Sequence, residues 1–333
     1  MTTTTELNRI ALQMVSGGKG ILAADESSPT LSKRFQKLGI ESTEESRRQW
    51  REMLFSAPSL SSYISGTILY DETFNQSFAN GKSFPDALIE LGILPGIKVD
   101  TGAKDLQGFP GETVTEGLDG LGARLENYRS RGARFAKWRA VITIGDNTPT
   151  TTALVANAHA LARYAKLCQQ NDIVPIVEPE VLMNGTHTIQ RSFRVTRAAL
   201  LETFEQLALF DVVLDEMVLK PSMVISGDKS EVRASEEEVA INSVECYRQC
   251  VPAAVAGIAL LSGGQPDSLA TSHLNKMNSL YKNLPWPITF SYGRGLQDEA
   301  MSTWLGDPSN ATKAQAALLK HAEANFKAAR GEL

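Results

Sequence analysis

Eight short apolar runs, each followed by a stretch of helical periodicity, constrain this chain more than any other feature. The runs lie in GKGILAADES, SGTILYDE, LPGIKVDTG, FAKWRAVITI, DIVPIVEPEV, the stretch Asp211–Met223, AAVAGIALLSGGQ and WPITFSYGRG. Most are apolar at successive positions, as strands buried on both faces of a parallel sheet must be. Helical signals alternate with them: Glu6–Val15, stopping at Gly17-Gly18, a stretch around Leu31–Leu38, and one capped by Thr43 with Glu44 and Glu45 in its first turn. Others begin at Phe84-Pro85, run over Thr151–Gln170 and Gln190–Leu209, follow Ser235, and close the chain over Ala311–Ala329. Strand–helix units recurring every ~30–45 residues predict an α/β chain folded as a (β/α)₈ TIM barrel. A doubly wound open sheet is the alternative, but the G-x-G-x-x-G turn expected after its first strand is absent.

No Pro-, Gly- or Ser-rich linker divides the 333 residues, so residues 1–333 are expected to form a single barrel domain with an N-terminal helix and a C-terminal closing helix. No apolar run is long enough to span a bilayer. The start, MTTTTELNRI, lacks the basic and apolar regions of a secretory signal. Three cysteines, Cys168, Cys246 and Cys250, form no disulfide framework and fit a reducing, cytoplasmic setting. A net charge of −5 argues against general nucleic-acid affinity, although a small anion needs only local positive charge. The four histidines, His159, His187, His273 and His321, have no metal-ligand spacing, so neither a metal nor a cofactor is expected.

In a barrel of this kind the strand ends converge on one mouth. In order they read Asp25, Asp71, Lys98, Lys137 with Arg139, Glu178 with Glu180, Lys220, Ser262-Gly263-Gly264, and Tyr292-Gly293-Arg294. Period-two alternation puts Lys137 and Arg139 on one face, and Glu178 and Glu180 likewise. So many charges around one opening must either pair or meet a highly charged ligand. Lys220, at the end of an apolar stretch and held by Pro221, has three readings: it snorkels to water, pairs with a carboxylate, or attacks a carbonyl to form a Schiff base. Lys137 is read as a like charge set beside it, and Glu178 or Glu180 as groups that move the protons of imine chemistry. Ser262-Gly263-Gly264 is a turn that can offer backbone amides to an anion, with Arg294 as a clamp. Lys98, Lys33 and Arg34 are candidates for a second anion pocket across the mouth.

Taken in register, ILAADES, GIKVD, KWR, VEPE, LKPSMV, LSGGQ and SYGRG resemble the class I, Schiff-base fructose-bisphosphate aldolases, from the first helix to the last. The resemblance implies reversible cleavage of fructose 1,6-bisphosphate to dihydroxyacetone phosphate and glyceraldehyde 3-phosphate, without a metal. It implies that Lys220 forms the imine, Asp25 orients or deprotonates the C4 hydroxyl, and Glu178 serves as acid and base. Glu180 would position and balance the lysines, Lys137 would stabilise developing negative charge, and Arg139 would assist binding. Ser262, Gly263, Gly264, Tyr292, Gly293 and Arg294 would form one phosphate site. Ser27, Lys33, Arg34 and Lys98 would address the other end of the sugar. The family also implies a homo-oligomer, with a tetramer expected.

Two departures accompany the likeness. After ILAADES the chain reads Ser28-Pro29-Thr30 where many relatives carry threonine-glycine-serine, so Thr30 is expected to supply the hydroxyl. The sequence ends at Gly331-Glu332-Leu333 without the terminal tyrosine of the eukaryotic enzymes, so enamine protonation is expected to fall to Glu178. Competing readings are a metal-dependent aldolase, a non-catalytic phosphosugar-binding barrel, and a transaldolase-like enzyme without a second phosphate pocket.

Overall fold

The computed structural model describes residues 4–333; the expectation drawn from the amino terminus falls partly on residues 1–3, outside that range. Among the described residues ten strands form: β1 (Gly20–Ala24), β2 (Ile64–Leu69), β3 (Leu94–Lys98), β4 (Gly102–Asp105), β5 (Thr113–Glu116), β6 (Phe135–Ile142), β7 (Val174–Val181), β8 (Val218–Leu219), β9 (Gly257–Leu260) and β10 (Ile288–Tyr292). Eight of them close a parallel barrel in the order β1-β2-β3-β6-β7-β8-β9-β10, with β10 pairing back to β1. The predicted (β/α)₈ barrel is the observed architecture.

Two concentric cores follow from strand alternation. Ile21, Ala23, Ile68, Phe135, Val174, Ile176, Val218 and Ala259 fill the interior. Leu22, Ala24, Leu69, Ile97, Trp138, Val177, Leu219 and Tyr292 face the helices outside. Gly66 and Gly96 make room for the Phe135 ring, since a Cβ at Gly96 would stand 2.2 Å from it and one at Gly66 2.9 Å. The helix Glu6–Val15 seals the end where the strands begin. Its Ile10, Met14 and Val15 join the interior cluster, and Ser65 Oγ donates to the Met14 carbonyl at 2.6 Å.

The helices start where the caps are. Thr5, Thr43, Ser83, Thr150, Thr188 and Ser235 each accept from an amide in the first turn that follows. The helices Glu6–Val15 and Thr151–Gln170 match the sequence expectation, and Ile189–Leu209 and Ala311–Ala328 differ by one residue.

Three features differ from it. The strand read into Asp211–Met223 is only the two-residue β8. Asp211 has φ 50° and Leu214–Glu216 forms a 3₁₀ turn, held when Thr5 Oγ1 donates to Glu216 Oε1 at 2.6 Å and Asn8 donates to the Asp215 carbonyl at 2.8 Å. The glycine-rich connection before β6 contains the antiparallel hairpin β4–β5 and a helix, Leu121–Ser130. Asp71 does not reach the mouth. By alternation Ile68 and Tyr70 face inward, whereas Asp71 starts a short helix and accepts the Tyr128 hydroxyl at 2.5 Å.

Candidate active site

The inner parity of each strand, carried past its last interior residue, delivers the polar groups of the mouth. Ile21 and Ala23 lead to Asp25, Phe135 to Lys137 and Arg139, Val174 and Ile176 to Glu178 and Glu180, and Val218 to Lys220. Lys220 is 4% exposed, and its amide donates to the Val177 carbonyl at 2.8 Å. Pro221, without an N–H, cannot extend that ladder.

The charges meet as a chain of pairs. Lys220 Nζ stands 3.1 Å from Glu178 Oε1. Lys137 Nζ stands 3.4 Å from Glu178 Oε2 and 2.7 Å from Asp25 Oδ2. The two like charges do share the mouth, but Glu178 bridges their ammonium groups and Asp25 holds Lys137 from its other side. Arg139 pairs with Glu180. Lys98 Nζ pairs with Asp100 Oδ1 at 2.5 Å, while Asp100 Oδ2 accepts from the Arg139 amide at 3.3 Å.

Two adjoining cavities open over this network and share Asp25, Glu26, Thr30, Lys137 and Arg139. The larger, 360 Å³, is lined by Ser27, Thr30, Tyr70, Lys98 and Asp100. The smaller, 220 Å³, holds Lys220, Glu178, Ser262, Gly263, Gly293 and Arg294. A bigger cavity of 680 Å³ lies outside the barrel, around Arg124, His159 and Arg163, and does not contain the paired lysines. Gly263 and Gly264 have φ of 62° and 86°, a conformation that favours glycine. Gly264 also backs onto the arginine, since a Cβ there would stand 3.0 Å from Arg294 Nη2.

Of the sequence-predicted residues around the helix after β1 and at the end of β10, some line the cavities and some do not. Ser27 precedes the helix Ser28–Lys37, and its hydroxyl lies 3.0 Å from that of Thr30, so Thr30 does bring a hydroxyl to the site. Arg34, one turn further along the same face, reaches the smaller cavity with Arg294 instead of the Lys98 side, and pairs with Glu26 and Asp298. Lys33 points to solvent and lines neither cavity, because a residue 100° around the helix from Arg34 leaves that face. Tyr292 is a core residue. Its ring faces the helices and its hydroxyl donates to the Ala270 carbonyl at 3.2 Å. The inward residue of β10 is Ser291, 1% exposed, with no hydrogen-bond partner for its hydroxyl among the described residues. Ser291, Asp100, Tyr70 and Glu26 were not singled out from the sequence. For Ser291, Asp100 and Tyr70 the signal was available, since each lies two residues from an inward-facing neighbour.

A family model described as fructose-bisphosphate aldolase class-I, of the glycolytic enzymes, matches residues 6–333. The chain belongs to this aldolase family. It is 53% identical to a probable class 1 fructose-bisphosphate aldolase of Xanthomonas campestris, over 98% of each chain. It is 48% identical to a cytosolic aldolase of Arabidopsis thaliana, covering 98% of this chain and 84% of the relative. A solved aldolase structure from Plasmodium falciparum superposes with a TM-score of 0.97 at 42% identity, covering 98% of this chain and 94% of that one. The reaction of this aldolase is the cleavage of fructose 1,6-bisphosphate into dihydroxyacetone phosphate and glyceraldehyde 3-phosphate and its reversal, a step of glycolysis, and the family works without a metal. Among the described residues no group of three or more His, Cys, Asp or Glu is arranged to hold a metal ion.

In the aldolase site, burial and pairing oppose each other. Burial raises the Asp25 carboxyl, but Lys137 and then Lys220 outweigh it and bring the group down to about 2. Burial likewise works against the charge on Glu178, and Lys137, Lys220 and Arg139 together hold it below the usual carboxylate range. For Lys137 burial favours the neutral amine; Asp25 and Glu178 reverse this and keep it protonated. At neutral pH the mouth therefore carries ionised carboxylates and a charged Lys137.

Proposed function

We propose that Lys220 is the amine that forms a Schiff base with the ketose. The observation that carries this reading is its buried Nζ, 3.1 Å from Glu178 and opening on a cavity shared with Gly263 and Arg294. Lys220 Nζ attacks C2, and Glu178 supplies and takes back the protons as the carbinolamine loses water. Asp25, ionised down to about 2, accepts a hydrogen bond from the C4 hydroxyl and orients it. As that hydroxyl passes its proton to Glu178, the C3–C4 bond breaks and its electron pair moves into the iminium, leaving an enamine on Lys220 and releasing glyceraldehyde 3-phosphate. Lys137, held charged between Asp25 and Glu178, stabilises the oxyanions that develop. Glu178 returns a proton to C3, and water hydrolyses the imine to free dihydroxyacetone phosphate. Glu180 neutralises Arg139 and holds it at the rim of both cavities.

Ser262, Gly263 and Arg294, with Arg34, form the pocket for the phosphate nearest the imine, because they share the smaller cavity with Lys220. Lys98, Ser27 and Thr30 address the distal phosphate from the larger one. Borohydride added with dihydroxyacetone phosphate, followed by peptide mass mapping, tests the core of this reading. The adduct is expected on Lys220; an adduct solely on Lys137 would move the nucleophile. Arg294→Ala is expected to weaken every phosphorylated ketose by about 1.5–3 kcal/mol, the range for a hydrogen bond to a charged group. Lys98→Ala is expected to lower kcat/KM for the bisphosphate far more than for fructose 1-phosphate, which carries no distal charge. An equal loss on both ketoses would remove Lys98 from the distal pocket.

The chain is read as one catalytic barrel domain acting as a homo-oligomer, with a tetramer as the family expectation. A cytoplasmic setting agrees with the cytosolic Arabidopsis relative. No helix among the described residues is long and apolar enough to cross a membrane.

A further inference from the structure

His273 is buried on the helix Asp267–Leu280, behind the turn that follows β9. Its Nδ1 lies 2.7 Å from Gln265 Oε1, while Gln265 Nε2 donates to the Ser262 carbonyl at 3.0 Å. The carboxamide's orientation is set by that second bond, so its oxygen faces the imidazole and His273 Nδ1 must carry the proton. The Ser262 carbonyl also accepts the Gln265 amide at 3.1 Å. Two donors thus turn this carbonyl toward Gln265. In a planar trans peptide the next N–H points the opposite way, away from Gln265, and Gly263 lines the smaller cavity. Among the described residues, neither the Gly263 nor the Gly264 amide has a protein acceptor. His273 Nε2 has none either, and burial, only partly offset by Glu236, depresses the imidazole to about 4, so it is neutral at working pH.

We propose that His273 is a positioning residue for anion binding: through Gln265 it keeps the Ser262 carbonyl out of the smaller cavity and the Gly263 amide facing in. Without the imidazole N–H, the Gln265 carboxamide loses the contact that holds its oxygen, and the carbonyl is free to swing a lone pair toward the phosphate. This inference rests on the assignment of that cavity to the proximal phosphate.

The test compares His273→Leu with His273→Asn, whose amide nitrogen occupies the place of Nδ1. KM and kcat for fructose 1,6-bisphosphate are measured beside competitive inhibition by inorganic phosphate. His273→Leu is expected to raise KM and the phosphate inhibition constant about tenfold, the scale of one lost hydrogen bond, with kcat changed by less than about twofold. His273→Asn should restore both constants. Gln265→Leu should match His273→Leu, and the double variant should go no further. Gln265→Ala gives the same reading if the leucine variant at 273 does not fold. Unchanged phosphate inhibition in a folded His273→Leu, alongside weakened inhibition in Arg294→Ala, overturns the inference alone. Unchanged inhibition in Arg294→Ala overturns the phosphate pocket itself. A loss of kcat and melting temperature that asparagine does not restore assigns His273 to packing and also overturns the inference.

Discussion

Lys220→Met is expected to lower kcat for fructose 1,6-bisphosphate by about 10⁴–10⁶-fold, the scale on which removal of a covalent nucleophile acts. Methionine retains most of the apolar stem, so the space after β8 stays filled. Loss of the ammonium does not orphan Glu178, because Lys137 still stands 3.4 Å from it. An uncompensated buried carboxylate would otherwise be strongly destabilising. The variant should therefore melt close to the parent and still bind ketose phosphate while forming no borohydride adduct. Two measurements decide the matter: adduct yield by mass spectrometry and binding of dihydroxyacetone phosphate by calorimetry. A stable adduct on the methionine variant would mean that another lysine, with Lys137 the nearest, carries the imine.

Glu178→Gln has the next largest expected effect, a fall in kcat of about 10²–10⁴-fold, the usual contribution of a positioned acid or base. The carboxylate is 3% exposed and touches both ammonium groups, at 3.1 Å and 3.4 Å. Glutamine keeps its shape and can still accept a hydrogen bond, but it cannot carry a proton from carbinolamine to water. Lys137 keeps Asp25 at 2.7 Å, so one lysine remains paired. The effect should appear in the rate of imine formation and not in the final amount. A time course of borohydride trapping separates the two, with slow approach to a full adduct expected. Trapping at the parent rate would assign the proton transfers to another group, with Glu180 the first to examine.

The residues that were legible in advance share one property: their position along a strand announces their direction. Phe135, Lys137 and Arg139 alternate with Trp138, and a reader who knows that Phe135 is interior knows where Lys137 points. The same rule, applied at β10, separates inward Ser291 from outward Tyr292; a motif match that takes SYGRG whole does not distinguish them. Lys33 and Arg34 show the limit on a helix. Both are cations in a short helical stretch, yet only Arg34 lies on the face shared with Thr30. The two-residue β8 shows a different limit. The apolar run through Asp211–Met223 has the composition of a longer strand, but contacts from Thr5 and Asn8, more than 200 residues away in sequence, hold its first part in a turn.

By itself the sequence determined the number and order of the barrel's strand–helix units, the helix caps and the inward-facing charges at the strand ends. These depend on periodicity and nearest neighbours, which operate over a few residues. Only the tertiary structure decided which charge pairs with which. Asp25 meets Lys137 across 112 positions, and Lys220 meets Glu178 across 42, because the closed ring brings strand ends together whatever their separation along the chain. Ring closure likewise sets Arg34 beside Arg294 and lays the His273 helix behind the Ser262 turn. In the low-dielectric mouth of the barrel, shifts of a few ångströms in those pairings decide which groups stay ionised, and no local pattern in the chain encodes such distances.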